Sequence, residues 1–320
     1  MCVLRTPQDA ALSEELVQDK DRSYCMSFHT RGADFRAVFV SAASAINAAT
    51  KQVHVHEHAL YHFSELVICT NLLAGQFRDV HDITLDLATE SYLKSLVVEA
   101  TPEGVFRAAC HVADEIEQVK NPTEIDESIF GGILHVTKRY AQIAEPSRSS
   151  VGSRSKSVPN LVQQYLQESE QISTLMLTGM RLRTGDSGKV EADRCFGLLI
   201  EALPDVSEDK KFILTDNLER LDSLTEYFGG ARNTAEGAQQ KDVMDLLDDI
   251  FPGEQWIETS EYALVYRCNC HREGYLEKLV QLARQNIADL FGNEEELEVR
   301  CGYCSNKFHY SRAEIDERLR

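Results

Sequence analysis

Apolar positions recur along this chain with two periods, and the switches between them mark out its elements. From Tyr24 to Val40 the pattern is strand-like, with Gly32-Ala33-Asp34 as a turn between Met26-Ser27-Phe28 and Phe35–Val40. From about Glu57 to Gln76 the period is helical. Leu60, Phe63, Val67 and Leu73 form a stripe that Leu66, Ile68, Cys69 and Leu72 widen. A helix apolar over most of its circumference is buried on several sides, so this one is expected at the centre of a domain.

Strand signals dominate the next stretch. Ile83, Leu85 and Leu87 alternate with Thr84, Asp86 and Ala88, as in a half-exposed strand. Leu96–Val98 and Val105–Ala108 flank Thr101-Pro102-Glu103-Gly104, a hairpin turn. A further strand is predicted at Ile133–Thr137, entered through Gly131-Gly132. Residues 146–159 are Ser-rich and basic, and this low-complexity segment is expected to be a loop. An amphipathic helix carrying Leu161, Val162, Tyr165, Leu166 and Ile172 follows it. Strands at Thr174–Arg183 and Arg194–Leu203 then flank a Gly185–Gly188 turn.

After Pro204 the pattern becomes helical. Residues 207–228 carry Phe212, Ile213, Leu218, Leu221, Leu224 and Phe228 and stop at Gly229-Gly230. A second helix over 239–251 carries Val243, Leu246, Leu247, Ile250 and Phe251 and stops at Pro252-Gly253. The expected fold is α+β. Residues 1–22 form a flexible arm, and 23–204 a domain with antiparallel sheets around a buried helix. Residues 205–260 form a helical connector, and 261–320 a small C-terminal zinc-binding domain.

Charge sharpens this division. The chain carries a net −19 over 320 residues. Between Glu201 and Ser260, fifteen acidic against five basic residues give −10, more than half of the whole excess. Acidic helices repel one another and dock only by their apolar stripe, which makes the connector a mobile element. The acidic balance argues against nucleic acid as a partner. No apolar run is long enough for a membrane span. The first twenty residues lack an apolar signal core, so a reducing, cytoplasmic location is expected.

Candidate chemistry is concentrated at the far end. Cys268-Asn269-Cys270 is followed, after thirty residues, by Cys301-Gly302-Tyr303-Cys304, whereas Cys2, Cys25, Cys69, Cys110 and Cys195 stand singly. Four thiolates in a tetrahedron suit zinc. The first pair has one intervening residue where zinc sites usually have two to four. In an extended segment both sulfurs still face one metal, but their Cα atoms lie about 6.5–7 Å apart, at the limit for a relaxed disulfide. A permanent structural zinc site is one reading. A switch is the other, since zinc-bound thiolates remain open to strong oxidants, and losing a metal worth on the order of 10 kcal/mol would unfold so small a unit.

Tyr266-Arg267-Cys268-Asn269-Cys270, the thirty-residue spacer and Cys301–Tyr310 closely resemble the redox switch of the heat shock protein 33 family. Leu96–Gly104, Gly131–Lys138 and Tyr165–Gln171 look like recurrent segments of its body, so the resemblance covers about residues 23–319. It implies an ATP-independent holdase chaperone rather than an enzyme, with unfolded or aggregation-prone client proteins as partners. By position Cys268, Cys270, Cys301 and Cys304 would be both zinc ligands and redox-active residues, with nearest-neighbour disulfides implied. The reduced, zinc-bound form would be an inactive monomer. Oxidation would release zinc, unfold switch and connector, expose client-binding surface and permit homodimers. His271 replaces the small hydroxyl residue of many members, and either bonds a thiolate or is an exposed spectator.

Other chemistry is thinner. His54, His56, His58 and His62 have helical or alternating spacing but no Cys or carboxylate pattern beside them, and read better as a polar lead-in to the central helix. Gly131-Gly132 lacks a phosphate-loop sequence, and no nucleophile elbow is present. Two other classes fit cysteine pairs. A zinc-ribbon nucleic-acid binder would bind DNA or RNA with zinc retained, but nine basic and ten acidic residues over 267–320 make a poor footprint. A thiol oxidoreductase would turn over small disulfides without unfolding.

Overall fold

The computed structural model describes residues 22–121, 123–219, 221, 223–228, 242–292 and 294–319. The expected flexible arm, apart from Arg22, and the Gly229-Gly230 stop lie outside them. The chain opens with β1 (Tyr24–Thr30), β2 (Phe35–Ser41), α1 (Ala43–Thr50) and the central helix α2 (Leu60–Gln76). Next come β3 (Asp82–Ala88), β4 (Leu93–Ala100), β5 (Val105–Val112), α3 (Thr123–Ile129), β6 (Ile133–Tyr140) and β7 (Ile143–Gly152). Helix α4 (Val158–Tyr165) leads to β8 (Thr174–Thr184) and β9 (Val190–Ala202). The connector holds α5 (Glu208–Glu219), α6 (Leu224–Tyr227) and α7 (Val243–Ile250). The C-terminal part contains β10 (Trp256–Ala263), β11 (Val265–Tyr266), α8 (Arg272–Phe291), β12 (Glu296–Arg300), β13 (Lys307–Ser311) and α9 (Arg312–Leu319).

Two sheets enclose α2. One runs β10-β1-β2-β9-β8 and the other β11-β5-β4-β3-β6-β7, antiparallel except where β11 joins β5. The fold is α+β, as the apolar pattern implies. Burial of α2 is nearly complete: Leu66, Val67, Ile68, Cys69, Leu72 and Leu73 all lack solvent contact. Two glycines let helix and sheet approach. A Cβ on Gly197 of β9 would lie 2.3 Å from Ile68 Cγ2, and one on Gly75 of α2 would lie 2.7 Å from Val38 Cγ1.

The five-stranded sheet is covered on both faces. Along β2, Val38 and Val40 face α2, while Phe35, Ala37 and Phe39 face the connector. Leu214, Leu218, Leu224, Leu246, Leu247, Ile250 and Phe251 pack on that second face. A strand buried on both faces reads as a continuous apolar run, as Ala37–Val40 does.

Four expectations need correction. The Ser-rich stretch 146–159 is not a loop: β7 occupies it to Gly152, and α4 begins at Val158 with Pro159 in its first turn, where a missing N–H costs nothing. β7 is an edge strand, and its Ser, Arg and Pro residues suit an edge that must not recruit other strands. The amphipathic helix ends before Ile172, at a π-turn closed by Gln171 in the left-handed region (φ 57°). In the connector, Phe212 and Ile213 of α5 point outward, 73% and 48% exposed, because Leu214 and Leu218 take the buried face. Residues 256–260 are strand rather than helix. Among the described residues no helix is long and apolar enough to cross a membrane.

If α2 depends on the close approach at Gly197, then Gly197→Val overpacks the core and lowers unfolding stability by about 1–3 kcal/mol. Urea denaturation measures this, with Gly152→Ala as control because a Cβ there meets nothing within 4 Å.

Candidate metal centre

The first cysteine pair leaves the last strand of the body. β11 pairs with β5 through only Val265 and Tyr266, and residues 267–270 then run without regular structure toward α8. Three backbone bonds fix this exit: Leu264 N–H donates to the Ser23 carbonyl (2.9 Å), Val265 N–H to that of Gly104 (2.9 Å) and Arg267 N–H to that of Phe106 (2.8 Å). Gly104 has φ 82°, and a Cβ there would sit 2.5 Å from the Ala263 carbonyl oxygen. Glycine is what lets the β4–β5 hairpin turn admit the C-terminal strands.

The second pair occupies the loop 301–306 of hairpin β12–β13, where Arg300 faces Lys307. Cys301 N–H donates to the Asn306 carbonyl (2.8 Å) and Ser305 N–H to that of Cys301 (3.0 Å), with Ser305 at φ 59°. The Tyr303 N–H turns inward to Cys301 Sγ at 3.5 Å.

These two segments bring four sulfurs together, all within 4.8 Å of one another. Cys268 Sγ lies 3.7 Å from Cys301 Sγ, and Cys270 Sγ lies 3.3 Å from Cys304 Sγ. Four thiolates about 2.3 Å from one zinc ion lie about 3.8 Å apart, so this donor set fits a tetrahedral site. Cys301 and Cys304 are buried, while Cys268 and Cys270 are half-buried. No other group of three or more Cys, His, Asp or Glu among the described residues gathers closely enough to hold an ion.

The surroundings divide the thiols. Burial would raise Cys301, but the Tyr275 hydroxyl and the N–H groups of Cys304 and Tyr303 outweigh it and lower the thiol to about 6. Burial raises Cys268 to about 11, and burial together with the neighbouring thiols raises Cys270 further. The Asn306 side-chain amide reaches Cys270 Sγ at 3.8 Å. His271 is exposed, and its Nδ1–H donates to the Asn269 carbonyl (3.1 Å) rather than to a sulfur. Tyr275 and Asn306 escaped sequence reasoning because each lies near a cysteine in the chain without a spacing that announces contact.

The remaining candidates resolve into structure. Cys25, Cys69, Cys110 and Cys195 are raised by burial and are inert packing residues. Cys2 lies outside the described residues. The histidines do not converge: His62 is 3% exposed and bonded to Glu65 and Asp126 (both 2.9 Å), while His56 pairs with Glu117 (3.3 Å). His62 is therefore a buried hub of helix α2 rather than part of a polar lead-in.

The C-terminal unit has little else to hold it. Among the described residues its own core consists of Leu276, Leu279, Val280, Ala283, Phe291, Tyr310 and Ile315, with six partly buried apolar side chains packed against them. A segment of this length with so few buried apolar side chains requires a staple.

The family model described as Hsp33 protein matches residues 23–311. A protein named 33 kDa chaperonin from Syntrophotalea carbinolica is 25% identical over 291 residues, covering 89% of this chain and 95% of that protein. Another of the same name from Pelobacter propionicus is 26% identical over 255 residues, with 76% of each chain covered. The crystal structure of the 33 kDa chaperonin, a heat shock protein 33 homolog, from Thermotoga maritima superposes with a TM-score of 0.72 at 18% identity. It covers 92% of this chain and 97% of that one, a likeness of fold.

Proposed function

The chain belongs to the Hsp33 family, and from that premise we propose that it is a chaperone of the holdase type, switched on by oxidation of its four C-terminal cysteines. The observation that carries this reading is the second face of the five-stranded sheet. Phe28, Phe35, Phe39, Leu198 and Ile200 form a continuous apolar surface suited to unfolded chains, and the acidic connector covers it. Polar contacts join the cover to the body, with Arg194 donating to the Phe228 carbonyl (2.9 Å) and Lys210 reaching Asp34 (2.5 Å). Asn217 to the Ile250 carbonyl (2.7 Å) and Lys210 to Glu254 (2.7 Å) tie the connector's own segments together.

In the reduced state Cys268, Cys270, Cys301 and Cys304 are the zinc ligands. Bound zinc would keep all four as thiolates and cross-link the body exit to the β12–β13 hairpin. Each disulfide that forms releases two electrons, which hydrogen peroxide accepts together with two protons from solvent as it becomes two waters. Once the sulfurs bond to each other they no longer serve as ligands, and the C-terminal unit loses its staple. Cys268 pairs with Cys270 and Cys301 with Cys304, although the resting geometry brings Cys268 nearest Cys301 and Cys270 nearest Cys304. Strands β10 and β11 then lose their downstream anchor, the connector leaves, and the aromatic face binds exposed apolar segments of clients. No nucleotide enters this scheme. A protein that works this way acts in a reducing compartment such as the cytoplasm, as a monomer that pairs when the face is uncovered.

Light-scattering assays of a heat-denatured client test this directly. Zinc-loaded protein should leave aggregation unchanged, and peroxide at mild heat should release zinc and suppress aggregation. Cys301→Ser should hold zinc more weakly and need less oxidant. Equal suppression before and after oxidation would overturn the switch, and unaltered zinc affinity in Cys301→Ser would remove that residue from the site.

A further inference from the structure

The cysteine loop touches the body of the protein through one side chain in particular. Tyr303 lies between Cys301 and Cys304, and its ring covers the guanidinium of Arg107 on β5, with 4.1 Å from the ring centroid to the guanidinium carbon. Arg107 is held in place for this contact. Its Nε lies 2.8 Å from Glu99 Oε1, and its terminal N–H donates to Oε2 at 2.9 Å. Glu99 of β4 also accepts from Arg139 of β6 (2.7 Å), and Arg139 donates in turn to both oxygens of Asp82 on β3 (2.8 and 2.9 Å). One aromatic ring of the cysteine loop thus rests on a charged row spanning β5, β4, β3 and β6, four adjacent strands.

We propose that the Tyr303–Arg107 stack is the latch through which the cysteine centre holds β11, and beyond it the connector, against the body. The proposal rests on the switch reading above and assigns its mechanical contact. The pairing of β11 with β5 is two residues long, too short to be stable alone. Among the described residues the aromatic contact it adds is Tyr266 edge-on to Phe106, 5.6 Å between centroids. Tyr303, from between the second pair of cysteines, contacts β5 at the residue next to Phe106, so β5 is held by residues adjoining both cysteine pairs. The position of the Tyr303 ring depends on the fold of loop 301–306, which in turn depends on where Cys301 and Cys304 are held. When those sulfurs change partners, the loop re-forms, the ring leaves Arg107 and β11 is retained by its short ladder and the Leu264–Ser23 bond. The row Glu99–Arg139–Asp82 stays intact without Tyr303, so the body remains folded after release.

Hydrogen exchange of the reduced, zinc-loaded full chain tests the latch at the amides of Leu264, Val265 and Arg267. Arg107→Met and Tyr303→Leu should each speed exchange there on the order of tenfold, the loss of one partly desolvated cation–π contact. The double variant should be no faster than either single one, and Tyr303→Phe, which keeps the ring, should match wild type. Zinc content stays at the wild-type level in all four, and the two disruptive variants need less peroxide to protect a client. Unchanged exchange in both single variants, or additive effects in the double variant, would overturn the latch. Wild-type protein that fails to respond to oxidant would instead refute the switch reading, whatever the variants do.

Discussion

Four sulfurs held within 4.8 Å of one another are the constraint on which the C-terminal part of this molecule depends. Nothing else there has comparable reach. Among the described residues, seven buried apolar side chains, six partly buried ones and one two-stranded hairpin make a small core to set against the chain entropy of a segment from Cys268 to Leu319. Gathering the thiols closes a loop of thirty residues between the pairs and fixes the hairpin against the start of α8. Tyr310 and Arg272 then finish the joint: the Tyr310 hydroxyl donates to the Arg272 carbonyl (2.8 Å), and Arg272 pairs with Glu314 (2.6 Å).

The same constraint reaches the body because the chain is threaded through both sheets just before it arrives at the sulfurs. β10 forms the edge of the five-stranded sheet beside β1, and β11 forms the edge of the six-stranded sheet beside β5. Both sheets therefore include strands that are the last to join the body. The connector lies between the body and these strands in sequence, and over the aromatic sheet face in space. Its negative charge gives it no reason to stay once its ends are released. The proposed function rests on this order of dependence: sulfur geometry supports the late strands, the late strands anchor the connector, and the connector hides the apolar face.

Much of this was legible in the sequence, and the failures have identifiable causes. The paired cysteines, the central helix and the β4–β5 hairpin were readable because spacing and period are local signals. Ala37–Val40 carried a further signal: an apolar run with no polar alternation means a strand covered on both faces, which is how the connector could have been placed. The Ser-rich stretch at 146–159 misled because composition suggests a loop, while edge pairing to β6 makes the segment a strand. Phe212 and Ile213 misled because a one-residue rotation of the helical stripe puts Leu214 and Leu218 inside. Tyr303, Arg107 and Glu99 were not findable. Their contact joins positions far apart in the chain, and each is an ordinary residue until the fold assembles them.

The chain's single tryptophan, Trp256, sits at the first residue of β10, is 7% exposed and packs against Phe251 in the connector core. Its emission therefore reports whether the connector is docked. The most direct test is to titrate zinc-loaded protein with peroxide and record Trp256 emission, zinc release and client protection on the same samples. The account requires the three to change together, with emission shifting to the red as protection appears. Full client protection while Trp256 remains buried would contradict it.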